Sequence, residues 1–314
     1  MRIGFTNRRI VDFAIRCALV LGLALAAGCS KKEKVREQAA TAAPVNMTIA
    51  DSTIQTPESV LYLSGADLYL VSNINGGPAE KDNNGFISRV APDGRVLDAY
   101  WIAAGVNGVA LDAPKGTTIK GDTLFVADID VVRLFNLATG APLGSWPVAD
   151  ATFLNDMATG PDGTVYVTDS GLTASFGESG TDALYRFDPA GQAIAVVKDR
   201  SLGHPNGITV AVDGVIVVTF GSGEVYRIDP ATGARTDLPK PPKGQLDGVQ
   251  LLASGGLLVS SWEGQAVYKL ADGVYTTVVD SVASPADIGL DTKRGLLLIP
   301  VFTENKIEVR GIGN

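Results

Sequence analysis

Cysteine and histidine are nearly missing from this 314-residue chain, which has two cysteines, Cys17 and Cys29, and a single histidine, His204. That scarcity excludes four-cysteine and multi-histidine zinc sites. It also leaves any serine triad with only His204 as its base, and no serine stands in a nucleophile-elbow sequence. Long apolar runs are lacking too: ALVLGLALAAG, residues 18–28, falls far short of the roughly 20 residues that cross a bilayer as a helix. Basic residues are the minority, 26 Lys and Arg against 34 Asp and Glu. Such a balance repels nucleic acid unless cations cluster, and the one dense basic stretch, KKEKVR at 31–36, lies in a segment with nothing to build a core around. Nucleic acid is therefore not an expected partner. Sustained helical periodicity is absent, and the glycine-rich stretches do not sit in the strand-to-helix setting of a dinucleotide site.

What is present begins at the N-terminus, where Arg2, Arg8, Arg9 and Arg16 precede the apolar run in the layout of an export signal. The AAGC that follows resembles a bacterial lipobox, with Ala26 where leucine is commoner. The resemblance implies cleavage after Gly28 and acylation of Cys29. Cys17 then leaves with the signal and Cys29 is consumed by lipid, so the mature domain is expected to hold no disulfide. Ser30, by resemblance to bacterial sorting rules, favours the outer membrane. Several acyl chains make such an anchor stable where one alone is marginal. Residues 29–45 are polar, alanine-rich and free of aromatic groups, a composition that cannot offset the entropy lost on ordering. The chain thus reads as a lipoprotein signal peptide over 1–28, the lipidated Cys29 with a flexible tether over 29–45, and one domain over 46–314. The expected location is the bacterial cell envelope, facing the periplasm, with the lipid anchor as the only membrane contact. Without residues 1–28 the balance is 22 basic to 33 acidic residues.

The domain is all-β by composition, with short Val, Ile, Leu and Tyr runs between Gly, Pro and Asp turns. Six units repeat, opening at Glu58, Lys115, Asn155, Asn206, Asp247 and Asp287 with spacings of 57, 40, 51, 41 and 40 residues. A period near 40 is that of a propeller blade, with insertions in the first and third units. A strand later in each unit repeats as GFISRV (85–90), VVRLFN (131–136), ALYRFD (183–188), EVYRID (224–229), AVYKLA (266–271) and KIEVRG (306–311). A pair of β-sandwiches does not generate six such copies. The predicted fold is a six-bladed β-propeller. The last unit runs out of chain before a fourth strand, so residues 46–54 are expected to pair beside 306–311, closing the ring and removing an exposed edge.

In such a ring the first strand of each blade lines the channel, so the six openings meet at one mouth. Asn or Asp before Gly is a common turn pair, and any one of these sites alone reads that way. Repetition at matched depth points instead to a cluster of side-chain oxygens. Carboxylates so gathered raise one another's pKa unless a cation, or Lys115 in part, offsets them. Oxygen donors suit a hard divalent ion: calcium first, with manganese or zinc as alternatives. Asn73, Asp128 and Asp169 end second strands and are expected away from that mouth in turn or blade-linking roles. Asp156, next to the ring, and His204 are candidates for substrate contact or for orienting the ligands, as are Lys115 and Asp287. Trp262 reads as blade packing.

On these residues, 55–314 resemble the SMP-30/gluconolactonase/LRE family of six-bladed propellers. That family holds a divalent ion with a glutamate on the first inner strand and with the leading residues of ND, PNG and DG motifs. The counterparts are Glu58 in TPES, Asn155 in FLND, Asn206 in HPNG and Asp247 in QLDG. The resemblance implies metal-dependent hydrolysis of a lactone or related ester, with Asp247 as proton acceptor. Phe153 replaces an arginine frequent in sugar-lactone-hydrolysing members, and ESV at 58–60 replaces EGP, which implies a more apolar substrate. A non-catalytic envelope propeller serving as a binding or scaffold module stays open beside this reading, as does a different chemistry on the same fold. The protein is expected to be a monomer.

Overall fold

The computed structural model describes residues 46–312. The expected signal peptide, the expected lipidation site Cys29 and the expected tether all lie outside the described residues. Six four-stranded antiparallel sheets follow one another along the chain. Their inner strands are Pro57–Leu63, Pro114–Lys120, Leu154–Thr159, Pro205–Ala211, Leu246–Leu251 and Gly289–Asp291. The repeated later strands are the third of each blade, running Phe86–Val90, Val131–Asn136, Ala183–Phe187, Val225–Ile228, Ala266–Ala271 and Lys306–Gly311. Each lies within one residue of the span that the repeat predicts. The protein is a six-bladed β-propeller. In the sixth sheet the outermost strand is Met47–Ile49, paired antiparallel to the third strand as Met47 to Val309 and Ile49 to Ile307.

Period-two alternation gives every sheet two apolar faces, and each face packs on a neighbouring blade. Val225 lies in the cluster with Leu246, Val249 and Val259 of blade five, whereas Tyr226 and Ile228 pack toward Tyr166 and Leu184 of blade three. Similar clusters fill the other junctions, including the one between blades six and one, where Leu298, Ile307 and Val309 meet Val60, Tyr69 and Val71. The core is a ring of inter-blade seams around a channel.

Near that channel the inner strands approach so closely that side chains are excluded at particular positions. A Cβ on Gly207 would lie 2.2 Å from the carbonyl oxygen of Asp247 and 2.9 Å from the Cα of Gly248. Backbone cannot yield as a side-chain tip can, so Gly207→Ala is expected to destabilise by about 3 kcal/mol or more, the upper end of overpacking costs. The urea midpoint reads this directly, and a change below about 1 kcal/mol would show that the seam between blades four and five is looser than described.

Candidate functional site

Five inner strands begin with an irregular step in their pairing to the second strand. The steps fall between Pro57 and Ser59, Pro114 and Thr117, Leu154 and Met157, Pro205 and Ile208, and Leu246 and Val249. A β-bulge releases a residue from the ladder and re-aims its side chain. Glu58, Lys115, Asn155, Asn206 and Asp247 all sit within these bulges, and all five line one cavity of about 600 Å³ at the channel mouth.

The sixth blade departs from the predicted ring. Pro285 bridges Val301 and Gly289 pairs with Leu298, just as Leu246 pairs with Ser261 and Val249 with Val259. This register makes Ala286 the counterpart of Asp247, so Asp287 is one residue further along its strand, level with Gly248. There Asp287 accepts a 2.6 Å hydrogen bond from Ser59 Oγ, and its backbone N–H donates to the Glu58 carbonyl. Asp156 occupies the same level in blade three. Its carboxylate accepts from the N–H groups of Met157 at 2.6 Å and Ile208 at 2.8 Å. Both aspartates stitch neighbouring inner strands together beneath the cavity.

The four predicted ligands share one property. Glu58 Oε2, Asn155 Oδ1, Asn206 Oδ1 and Asp247 Oδ1 are all buried without a hydrogen-bond partner. Native structures leave few such atoms, and each calls for an explanation. Asn155 donates its amide N–H to Ser170 Oγ at 3.0 Å, which fixes the oxygen as the free end. Burial pushes the Glu58 carboxyl well above the usual range, and the charges of Asp247 and Asp287 push it further, with Lys115 pulling the other way. Asp247 is raised in the same manner, by burial and then by Asp287, against a downward pull from the Trp262 indole N–H. That N–H makes no well-formed hydrogen bond, so its effect is a dipole at close range. Among the described residues no three His, Cys, Asp or Glu side chains group tightly enough to hold an ion. The available donor set is therefore two carboxylates and two amide oxygens. It fits a hard cation that draws its other ligands from water or substrate.

Other residues stand differently from expectation. Asn73, Asp128 and Asp169 pair with or beside the first residues of the inner strands, which puts them at the same end as the mouth, one strand outward. An antiparallel second strand must end where the first begins. Their linking role is clear: Asp128 accepts from the N–H groups of Asp112 and Ala113 and from Arg133, Asp169 from Thr152, Phe153 and Gly171, and Asn73 from Gln55. His204 lies outside the cavity lining. Its Nδ1 is 2.8 Å from the Ser170 carbonyl oxygen and its backbone N–H donates to Asp182, so it supports the loop whose Ser170 holds Asn155. Trp262 lines the cavity instead of only packing a blade.

Trp262 belongs to a feature that the repeat search did not isolate. The residues that immediately follow the second strands include Ile74, Phe220, Trp262 and Phe302, and all four line the mouth above the polar ring. Phe220, Trp262 and Phe302 form a continuous wall, with ring centroids 5.4 and 5.2 Å apart. Phe153 and Phe176, 6.2 Å apart, face the cavity from blade three. The signal was available in the aligned ends of TFG, SSW and PVF, each placing an aromatic residue beside the strand end.

Residues 84–289 match the sequence profile described as the SMP-30/gluconolactonase/LRE-like region. The chain belongs to this family. Among solved structures, family-like folds include a putative gluconolactonase, 19% identical with a TM-score of 0.62 over 87% of this chain and 95% of that one. A gluconolactonase from Xanthomonas campestris is 17% identical, with a TM-score of 0.62 over 84% and 88%. A catalytically inactive variant of virginiamycin B lyase from Staphylococcus aureus, solved with quinupristin, is 14% identical with a TM-score of 0.57 over 86% and 99%. At such identities the likeness is one of fold. No curated protein sequence matches the chain.

Proposed function

We propose that this family member is a divalent-metal-dependent hydrolase of a lactone or related ester, acting at the channel mouth. The observation that carries the reading is the set of four orphaned oxygens on Glu58, Asn155, Asn206 and Asp247, gathered in one cavity from four blades. Family membership and the likeness to a gluconolactonase fold support the reaction class. When bound, a divalent ion, calcium before manganese or zinc, supplies positive charge to a carbonyl oxygen and makes water a better acid.

The protein's own groups do the rest. Asp247 takes the proton of the attacking water, its carboxylate standing in the same cavity as Glu58, Asn155 and Asn206. Asn155 is oriented through Ser170, and Ser170 through its Oγ bond of 2.7 Å to the Pro205 carbonyl. Such supports set ligand geometry. The aromatic wall shields one side of the reacting centre from water, which strengthens charge interactions there. This enzyme works as a monomer on a small-molecule substrate in the bacterial envelope, held at the outer membrane, on its periplasmic side, through lipid on Cys29.

The test is hydrolysis of a panel of lactones and aryl esters by the mature protein, stripped with chelator and reloaded with calcium, manganese or zinc. Activity is expected to vanish on stripping and return on reloading. Turnover that ignores chelator would remove the cation from the mechanism. A protein that binds calcium yet hydrolyses nothing on the panel would instead be a binding or scaffold module of the envelope.

A further inference from the structure

Lys115 is the one cation among the residues that floor the cavity, and although Glu58 and Asp128 lend it favourable charge at a distance, neither forms an ion pair with it. It comes from the second inner strand, between Glu58 and Asn155 in blade order, and is 1% exposed. Its Nζ donates one hydrogen bond, to the Ala113 carbonyl at 3.1 Å, and stands 4.6 Å from the centroid of the Phe153 ring. An ammonium carries three protons. Among the described residues, the other two have no acceptor and no carboxylate pairs with it. A desolvated charge left short of partners costs several kcal/mol. The equivalent place in blade six is filled by Ala286, so the fold does not demand a long side chain there. The protein-free space beside Nζ is the same cavity that Glu58, Asn155, Asn206 and Asp247 line.

Resting on the hydrolase reading, we infer that Lys115 is a catalytic residue that donates to the substrate carbonyl oxygen and stabilises the negative charge it gains. The electron count is simple. Water oxygen bonds to the carbonyl carbon, its proton passes to Asp247, and the C=O π pair moves onto the oxygen facing Lys115. Collapse re-forms the carbonyl and breaks the bond to the ring or alkoxy oxygen. The proton on Asp247 then goes to that leaving oxygen, giving a hydroxy acid or an acid and an alcohol. Lys115 keeps its protons throughout. Donors fixed in advance where charge develops contribute the largest electrostatic share of catalysis in sites that exclude water.

The same ammonium repels any cation held by Glu58 and Asp247. Removing it therefore has two effects of opposite sign, which a merely structural lysine would not produce. In Lys115→Met, calcium affinity measured by calorimetry is expected to tighten at least about threefold, and kcat to fall about a hundredfold, in line with loss of one oxyanion donor. KM is expected to change little. In Lys115→Ala, added methylammonium should restore part of kcat. If Lys115→Met fails to fold, Lys115→Gln takes its place, with calcium binding as the check on the fold. A variant that binds calcium and keeps kcat within threefold of wild type overturns the assignment, as does calcium affinity that weakens in parallel with activity. Wild-type protein that turns over no lactone or ester brings down the hydrolase reading itself, and the role of Lys115 with it.

Discussion

Asp247→Asn is expected to abolish measurable calcium binding and to lower hydrolysis by at least about a hundredfold, while making the cation-free protein more stable. The first two effects follow from removing both a charged ligand and the proton acceptor, since a single supporting residue of a metal site is already worth about 10- to 100-fold. The third follows from burial. The Asp247 carboxyl is 4% exposed and has an oxygen without a partner, Glu58 shares its cavity, and Asp287 beneath it adds a further like charge. A buried ion without compensation costs several kcal/mol, and a neutral amide of the same shape avoids most of it. Raised stability of about 1–3 kcal/mol in chelator, read from thermal or urea unfolding, is the expected size.

The same group has a pH signature with a definite sign. Glu58 and Asp247 are raised in the folded state, and burial lifts Asp287 to about 7. Between the unfolded values near 4 and these folded values the native state holds more protons than the unfolded chain. Stability of the cation-free wild type is therefore expected to fall as pH rises through this window, and the fall should shrink in Asp247→Asn. Glu58→Gln should behave alike. Calcium binding that survives both substitutions, or a variant less stable than wild type in chelator, would mean that these oxygens are orphaned for a reason other than a missing cation.

Much of this site was legible in the sequence because a propeller writes its geometry as a period. Glu58, Asn155, Asn206 and Asp247 recur at blade spacing, and each inner strand delivers its residue to the same depth. The period could not reveal the bulges, which depend on pairing with the second strand. That is why Asp287 read as a ring residue: DIG resembles DGV as text, while the register matches Ala286 to Asp247. Trp262 read as packing because one aromatic at a strand end is ambiguous. Only when Phe220 and Phe302 are seen in the equivalent place does it become part of a wall. His204 read as a candidate for substrate contact or for orienting the ligands; with φ of 59° at His204 its ring meets the Ser170 carbonyl, outside the cavity lining, and Ser170 in turn holds Asn155.

That aromatic wall sets the last expectation: lactones with alkyl or aryl substituents should be better substrates than polyhydroxylated ones of equal ring size. The cavity offers few partners to a polyol. Above the polar floor only Ser170, Gln245 and the Trp262 indole N–H bring polar groups to the lining, and Ser170 Oγ is already engaged by Asn155 and the Pro205 carbonyl. Each hydroxyl buried without a partner costs about 1–3 kcal/mol, roughly tenfold or more in kcat/KM. Each methylene laid against the wall gains about 0.8 kcal/mol, close to fourfold. A series of lactones with lengthening alkyl chains should therefore show kcat/KM climbing about fourfold per carbon until the cavity of about 600 Å³ is filled. Trp262→Ala and Phe302→Ala should flatten that slope while leaving calcium affinity within about threefold of wild type, because neither side chain supplies one of the four ligand oxygens. A hydroxylated sugar lactone that outpaces the alkyl series, or a slope indifferent to both substitutions, would show that substrate does not rest against this wall.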